Sequence, residues 1–182
     1  MTDSVLRTPA QVLFRCLQPQ DAVQVCELRH RAIRECAHQF GTPPDIELAR
    51  GAEYYRRQLL QGRSGRSKAI LGGWVGDSLI CMAGIRRRRT LQGPVGLITS
   101  MYVTPDWRRC GVGELLLQQS MERIESIWKL TTFHMNVEVN NTPALELYQR
   151  NGFEILRREE HAFSIEGTAH SVFLLERGRP RP

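Results

Sequence analysis

The stretch TSMYVTPDWRRCGVGELLL, residues 99–117, closes a strand-like run in a proline turn, passes two arginines and two glycines, and enters an apolar-periodic helix. Glycines at 111 and 113 let a ligand reach the backbone with no Cβ in the way, and the helix behind them offers unpaired amides at the positive end of its dipole. Arg108 and Arg109 add charge beside that point. The combination suits a diphosphate. No Gly-Lys-Ser/Thr follows, so a Walker loop is disfavoured, and Gly-Val-Gly lacks the third glycine and the later acidic partner of a dinucleotide fingerprint. Two glycines before a helix also serve a plain tight turn, so the surrounding elements have to decide.

Outward from this segment the chain reads as alternating strands and helices. Residues 12–17 suit a first strand, and Asp21 with Gln24 resembles a capping box opening a helix on which Val25, Leu28, Ala32 and Cys36 recur at helical spacing. Thr42, Pro43 and Asp45 predict a second helix running to about Leu60, and residues 62–67 a polar break. Residues 69–75, 79–85 and 95–103 read as an antiparallel meander with turns at 76–77 and 86–94. A helix over 111–127, a strand over 134–139, a short helix from Thr142 to the Asn151-Gly152 cap, and strands over 153–163 and 171–175 complete the pattern. One domain over 12–176 is expected, with flexible ends at 1–11 and 177–182, since 182 residues leave no room for two cores.

Two motifs carry a resemblance to a known family. Arg108-Arg109-Cys110-Gly111-Val112-Gly113 resembles the Arg/Gln-x-x-Gly-x-Gly/Ala motif of the Gcn5-related N-acetyltransferase (GNAT) superfamily. Residues 140–153, NNTPALELYQRNGF, resemble its Asn-x-x-Ala-x-x-x-Tyr-x-x-x-Gly-Phe hallmark. The resemblance covers roughly residues 95–155 and implies an α/β fold: a mixed, mostly antiparallel central sheet of about seven strands flanked by about four helices. It implies acetyl-CoA as cosubstrate, with the main chain of Met101, Tyr102 and Val103 pairing with pantetheine where the fourth strand splays from the fifth at a bulge. Arg108 stands at the motif's first position, and Arg109, Cys110, Gly111, Val112, Gly113 and Glu114 match the residues that wrap the pyrophosphate. Asn141 matches an asparagine that bonds the pantetheine arm, and Tyr148 a tyrosine near the sulfur. Asn141 as a helix cap and Tyr148 as a packing residue are the structural alternatives.

Acetyl transfer to an amine needs a proton acceptor, because an amine of pKa ~10.4 is neutral in only about one molecule in two thousand at pH 7. Glu138, in the strand Val137-Glu138-Val139, turns away from its apolar neighbours, and in some relatives a glutamate there acts as base, often through water. A solvated or ion-paired strand glutamate is the alternative. Where many relatives carry a glutamate near the start of the fourth strand, this chain has Gly96-Leu97-Ile98, which shifts weight to Glu138 or to a chain of waters. Bulged main chain around residues 101–103 would face the oxyanion, and Tyr148 the departing thiolate. With both substrates bound together no covalent nucleophile is needed, so Cys110 is expected to be a bystander.

Composition bounds the other readings. A net charge of +6 with only two lysines among 25 basic residues favours anion grips over a diffuse cationic coat. Five scattered cysteines without a C-x-x-C pair argue against a disulfide framework or a thiolate zinc site, and Cys26 with His30 has no second pair to complete a metal site. No stretch approaches ~20 apolar residues and the opening lacks a signal-peptide core, so a cytosolic protein free of membrane is expected. Four consecutive arginines at 86–89 fall in a predicted turn. Nucleic-acid binding is disfavoured because aromatics do not interleave with them. His134 and Asn136 share a strand face with Glu138. The expected function is transfer of acetyl to a primary amine of a small molecule or peptide, by direct attack in a ternary complex. A non-catalytic acyl-CoA-binding sensor or partner module is the alternative, and a homodimer is common for such folds.

Overall fold

The computed structural model describes residues 8–62 and 67–178. The expected flexible ends beyond these limits, and most of the polar break, lie outside the described residues. A 3-10 turn at Pro9–Gln11 leads into β1 (Leu13–Cys16), followed by α1 (Ala22–Cys36), α2 (Pro44–Leu48) and α3 (Ala52–Gly62). The meander is β2 (Lys68–Val75), β3 (Ser78–Thr90) and β4 (Gly93–Val103). Then come α4 (Val112–Trp128), β5 (Phe133–Glu138), α5 (Thr142–Arg150), β6 (Glu154–Ile165) and β7 (Thr168–Arg177). The seven strands form one sheet in the order β1-β2-β3-β4-β5-β7-β6, antiparallel throughout except at the β4–β5 pair. This is the mostly antiparallel α/β sheet the sequence predicts.

Period two along the strands and the helical spacing of the apolar residues sort the core into two layers. On one face α4 sets Val112, Leu116, Leu117 and Ile124 against Ile85, Ile98, Phe133 and Leu175. On the other, Val25, Leu28 and Ala32 of α1 and Tyr55 and Leu59 of α3 meet Trp74, Leu79, Met82 and Tyr102. Each such large side chain contributes about 1.5–3 kcal/mol when buried. Gly96 permits the close seat of α4 on β4, because a Cβ there would stand 2.4 Å from Ile124 Cγ2.

Three local expectations need correction. The predicted second helix is two, α2 and α3, broken at residues 49–51; Gly51 lowers helix propensity at the break. Arg86 to Arg89 do not form a turn: they extend β3, pairing with Leu97 to Pro94, and the reversal is the tight one at Leu91 and Gln92. Antiparallel pairing satisfies their backbone while the long side chains reach solvent. Asp21 does not pair with Gln24 in a box. Its carboxylate accepts from the Gln18 amide at 2.7 Å and from Arg15, closing the 3-10 turn Pro19–Asp21 that precedes α1.

Candidate active site

The parallel ladder between β4 and β5 holds only at Gly96–Phe133 and Leu97–His134. Beyond it the strands splay. Across β3 the register shifts, so that Ala83 alone faces Ser100 and Met101 between the pairs Gly84–Thr99 and Met82–Tyr102. Ser100 takes φ +52°, a left-handed backbone uncommon outside glycine, and the extra residue forms a bulge. A cavity of about 50 Å³ fills the splay, lined among others by Ser100, Met101, Asn136, Glu138, Asn141 and Tyr148. Past Leu97 no ladder joins β4 to β5, so the edge of β4 at Met101 and Tyr102 borders the splay without a partner strand on that side.

The two-glycine loop follows. Arg109 at φ +59° and Gly111 at φ +84° turn the chain into α4, whose first turn receives no side-chain cap from the described residues. Its leading amides are therefore left for an anion, and at Gly113 a Cβ would meet only Leu147 at 3.5 Å and Val103 at 3.9 Å, an open cradle. These features fit a CoA diphosphate. Val112 is wholly buried and anchors the turn, Glu114 accepts from Asn151 Nδ2 at 3.3 Å, and the Cys110 thiol donates to the Trp107 carbonyl at 3.0 Å. Arg108 is tied from behind: Nε donates to the Val103 carbonyl at 2.9 Å, and the guanidinium pairs with Glu35 of α1 at 2.5 Å. The Tyr102 hydroxyl donates to the same carboxylate at 2.6 Å. Burial works against the charge of Glu35, yet Arg108 and Tyr102 outweigh it and hold the carboxyl below its ordinary range.

Glu138 is not a solvated strand residue. Its side chain is buried and accepts from the Asn140 amide at 2.9 Å and from Asn140 Nδ2 at 3.0 Å. His170 Nδ1 of β7 stands 3.7 Å from the same carboxylate. The His170 ring is stacked between Phe163 (centroids 5.2 Å apart) and His38 (6.0 Å), so the β6–β7 hairpin and the turn after α1 meet over Glu138. Nothing local in the sequence singles out His170; only the β5–β7 register, Glu138 opposite Val172, brings it there.

Tyr148 lies on α5, buried at 7% exposure with its ring edge-on to Phe153, and burial pushes its phenol up to about 12. Its hydroxyl has no protein hydrogen-bond partner among the described residues. Asn141 does cap α5, Oδ1 accepting from the Ala144 amide at 3.3 Å, and it also lines the cavity, so the two roles share one side chain. Asn136 lines the cavity too, whereas His134 is drawn away to Glu176 at 2.7 Å. His30 Nε2 and the Cys26 thiol both meet the Arg50 carbonyl. Among the described residues no three His, Cys, Asp or Glu side chains are grouped to hold a metal, and no helix is long and apolar enough to cross a membrane.

Comparison with known proteins matches residues 30–153 to the profile described as the acetyltransferase (GNAT) family. An N-alpha-acetyltransferase of Sulfurisphaera tokodaii is 32% identical over 69 residues, 38% of this chain and 41% of that protein, so the chain spans about two-fifths of the length of the curated relatives it matches. Ribosomal-protein-S5-alanine acetyltransferase from Vibrio fischeri superposes with a TM-score of 0.81 at 12% identity over 94% of this chain and 96% of that one. Spermidine N-acetyltransferase from Vibrio cholerae, solved with CoA and spermine, gives 0.77 at 15% over 93% and 96%. At these identities the two structures speak for the fold.

Proposed function

Because the chain belongs to the acetyltransferase (GNAT) family, we propose that it is an N-acetyltransferase carrying acetyl from acetyl-CoA to a primary amine of a small molecule or peptide, both bound at once. The observation that carries this reading is the splay itself: one cavity at the β4 bulge is bordered by a buried carboxylate, Glu138, and a buried phenol, Tyr148. The loop of Arg109, Cys110, Gly111, Val112, Gly113 and Glu114 would hold the diphosphate on its amides. Met101 to Val103 would pair with the pantetheine arm, and Asn141 has Nδ2 left to donate to it. Bound there, acetyl-CoA supplies the thioester carbonyl that an amine attacks.

The chain's own groups account for the protons. Glu138, fixed by Asn140, takes the proton that the incoming ammonium must lose before attack, directly or through one water, with His170 beside the carboxylate; the second proton, shed by the nitrogen once the C–N bond has formed, passes to the sulfur as the C–S bond breaks. Main-chain amides of the bulge would face the carbonyl oxygen as negative charge develops on it. Tyr148 holds its hydroxyl proton toward the departing sulfur. Cys110, engaged with Trp107, takes no part.

Thiol release with a panel of amines and free-amino-terminal peptides tests the reading. Turnover is expected, and Glu138→Gln should lower kcat by at least about a hundredfold, in the range typical of losing a general base, while binding of acetyl-CoA persists. Tight binding of acetyl-CoA without thiol release from any acceptor would instead make the chain an acyl-CoA-binding module.

A further inference from the structure

A second cavity, of about 250 Å³, shares Thr99 and Ser100 with the candidate active site and runs between α1, α3 and strands β2 to β4. Among the described residues four cations line it, Arg29, Arg50, Lys68 and Arg86, against the single carboxylate of Glu47. That carboxylate is already spent: Arg29 Nε donates to it at 2.7 Å, the Tyr55 hydroxyl at 2.9 Å, and Arg50 Nη1 completes the set. The Arg29 side chain is 9% exposed, its guanidinium rests 4.5 Å over the Phe40 ring, and Nη1 has no hydrogen-bond partner among the described residues. An unpaired buried guanidinium N–H is costly and rare in a folded chain. Burial and the neighbouring Arg86 depress the Lys68 ammonium, as expected where cations face one cavity without enough counter-charge.

We propose that this cavity takes a carboxylate borne by the acceptor amine, received by the unpaired face of Arg29 with Lys68 and Arg86 at its side. The assignment rests on the acetyl-transfer reading, for Ser100 is common to both cavities and sets the carboxylate beside the place where the amine reacts. A guanidinium is matched in shape and charge to a carboxylate. The same four cations repel a polyamine. Two sources supply the chemistry: a free amino acid, or an acidic side chain near the amino terminus of a peptide.

Calorimetry in the presence of CoA, with KM from thiol release alongside, decides the matter using twins that differ only in carboxylate or amide. One pair is glutamate and glutamine; the other is a short free-amino-terminal peptide with Glu or Gln at its second position. The carboxylate member of one pair should bind about tenfold or more tightly than its twin, the gain lying in KM rather than kcat and shrinking with added salt. Which pair discriminates names the source. Lys68→Gln with Arg86→Gln, which leaves the Arg29–Glu47–Tyr55 set intact, should cut the preference severalfold, and Arg29→Lys, which still neutralises Glu47, should cut it too. Equal affinity of the twins in both pairs, with the amide members still acetylated, overturns the carboxylate pocket and spares acetyl transfer. A carboxylate preference in calorimetry with no thiol release from any acceptor does the reverse.

Discussion

Tyr148→Phe separates two ways a tyrosine can help a thiolate leave. Burial holds the Tyr148 phenol at about 12, while a free thiol titrates near ~8.5, so handing the proton over completely is uphill by about 5 kcal/mol at ~1.4 kcal/mol per pKa unit. Donation of a hydrogen bond without transfer is the route left, and a bond to a charged acceptor is worth about 1.5–3 kcal/mol. Removing the hydroxyl should then lower kcat roughly 10- to 150-fold, with little change in the KM for acetyl-CoA. Stability should hold or rise slightly, because the hydroxyl has no protein partner to lose and an apolar edge suits its buried site. The phenol stays neutral below its raised value, so the wild-type rate should show no alkaline decline from this group up to about pH 11. Rates measured by thiol release across pH 6–10.5, with thermal melts in parallel, are the assay. A variant as fast as wild type, or a wild-type alkaline limb near pH 10 that vanishes in the variant, would refute the hydrogen-bond account.

Gly113→Ala adds a Cβ that meets nothing closer than 3.5 Å, so the melting temperature should stay level or climb by a fraction of a degree, while calorimetry should show weaker binding of CoA because the cradle is filled. Glu47→Gln leaves Arg29 buried without its counter-charge and should cost about 3–5 kcal/mol at pH 7. Burial opposes the Glu47 charge, but Arg29, Tyr55 and Arg50 hold the folded carboxyl below its usual range. Its stabilisation is thus present above the unfolded value of ~4.3 and is lost as pH falls through the lower folded one, so melts of wild type and variant should converge as the pH is taken down past both. Gly96→Val drives a side chain into Ile124 and should lower stability by about 1–3 kcal/mol in a denaturant titration.

Elements fixed by local chemistry are legible in the sequence alone. Gly111 at φ +84° and Pro143 in the first turn of α5 are demands that a few neighbouring residues make on their own. The stretch 99–117 therefore marks the end of β4 and the start of α4 closely. Longer-range features leave no such trace. The break between α2 and α3 accompanies a carboxylate at 47 that is claimed from 18 residues away by Arg29, and helical periodicity carries no sign of that demand. Arg86 to Arg89 read as a turn because four like charges look solvated, yet pairing with β4 keeps them in a strand. His170 reaches Glu138 only through the β5–β7 register, and Arg29 Nη1 is stranded without a partner only once α1, α3 and the sheet have closed around it.

Helix α1 touches both ends of the chemistry. Arg29 and Glu35 sit six residues apart on it, about 9 Å along the axis, one lining the cavity proposed for the acceptor's carboxylate and the other clasping Arg108 beside the two-glycine loop. A stiff rod seated at two points would carry a shift at one of them to the other. If a nucleotide draws Arg108 from its clasp, the factor by which it alters affinity for the second substrate must equal the factor by which that substrate alters affinity for the nucleotide. Cutting the clasp at Glu35 would bring that common factor toward one, leaving each substrate to bind as though the other were absent.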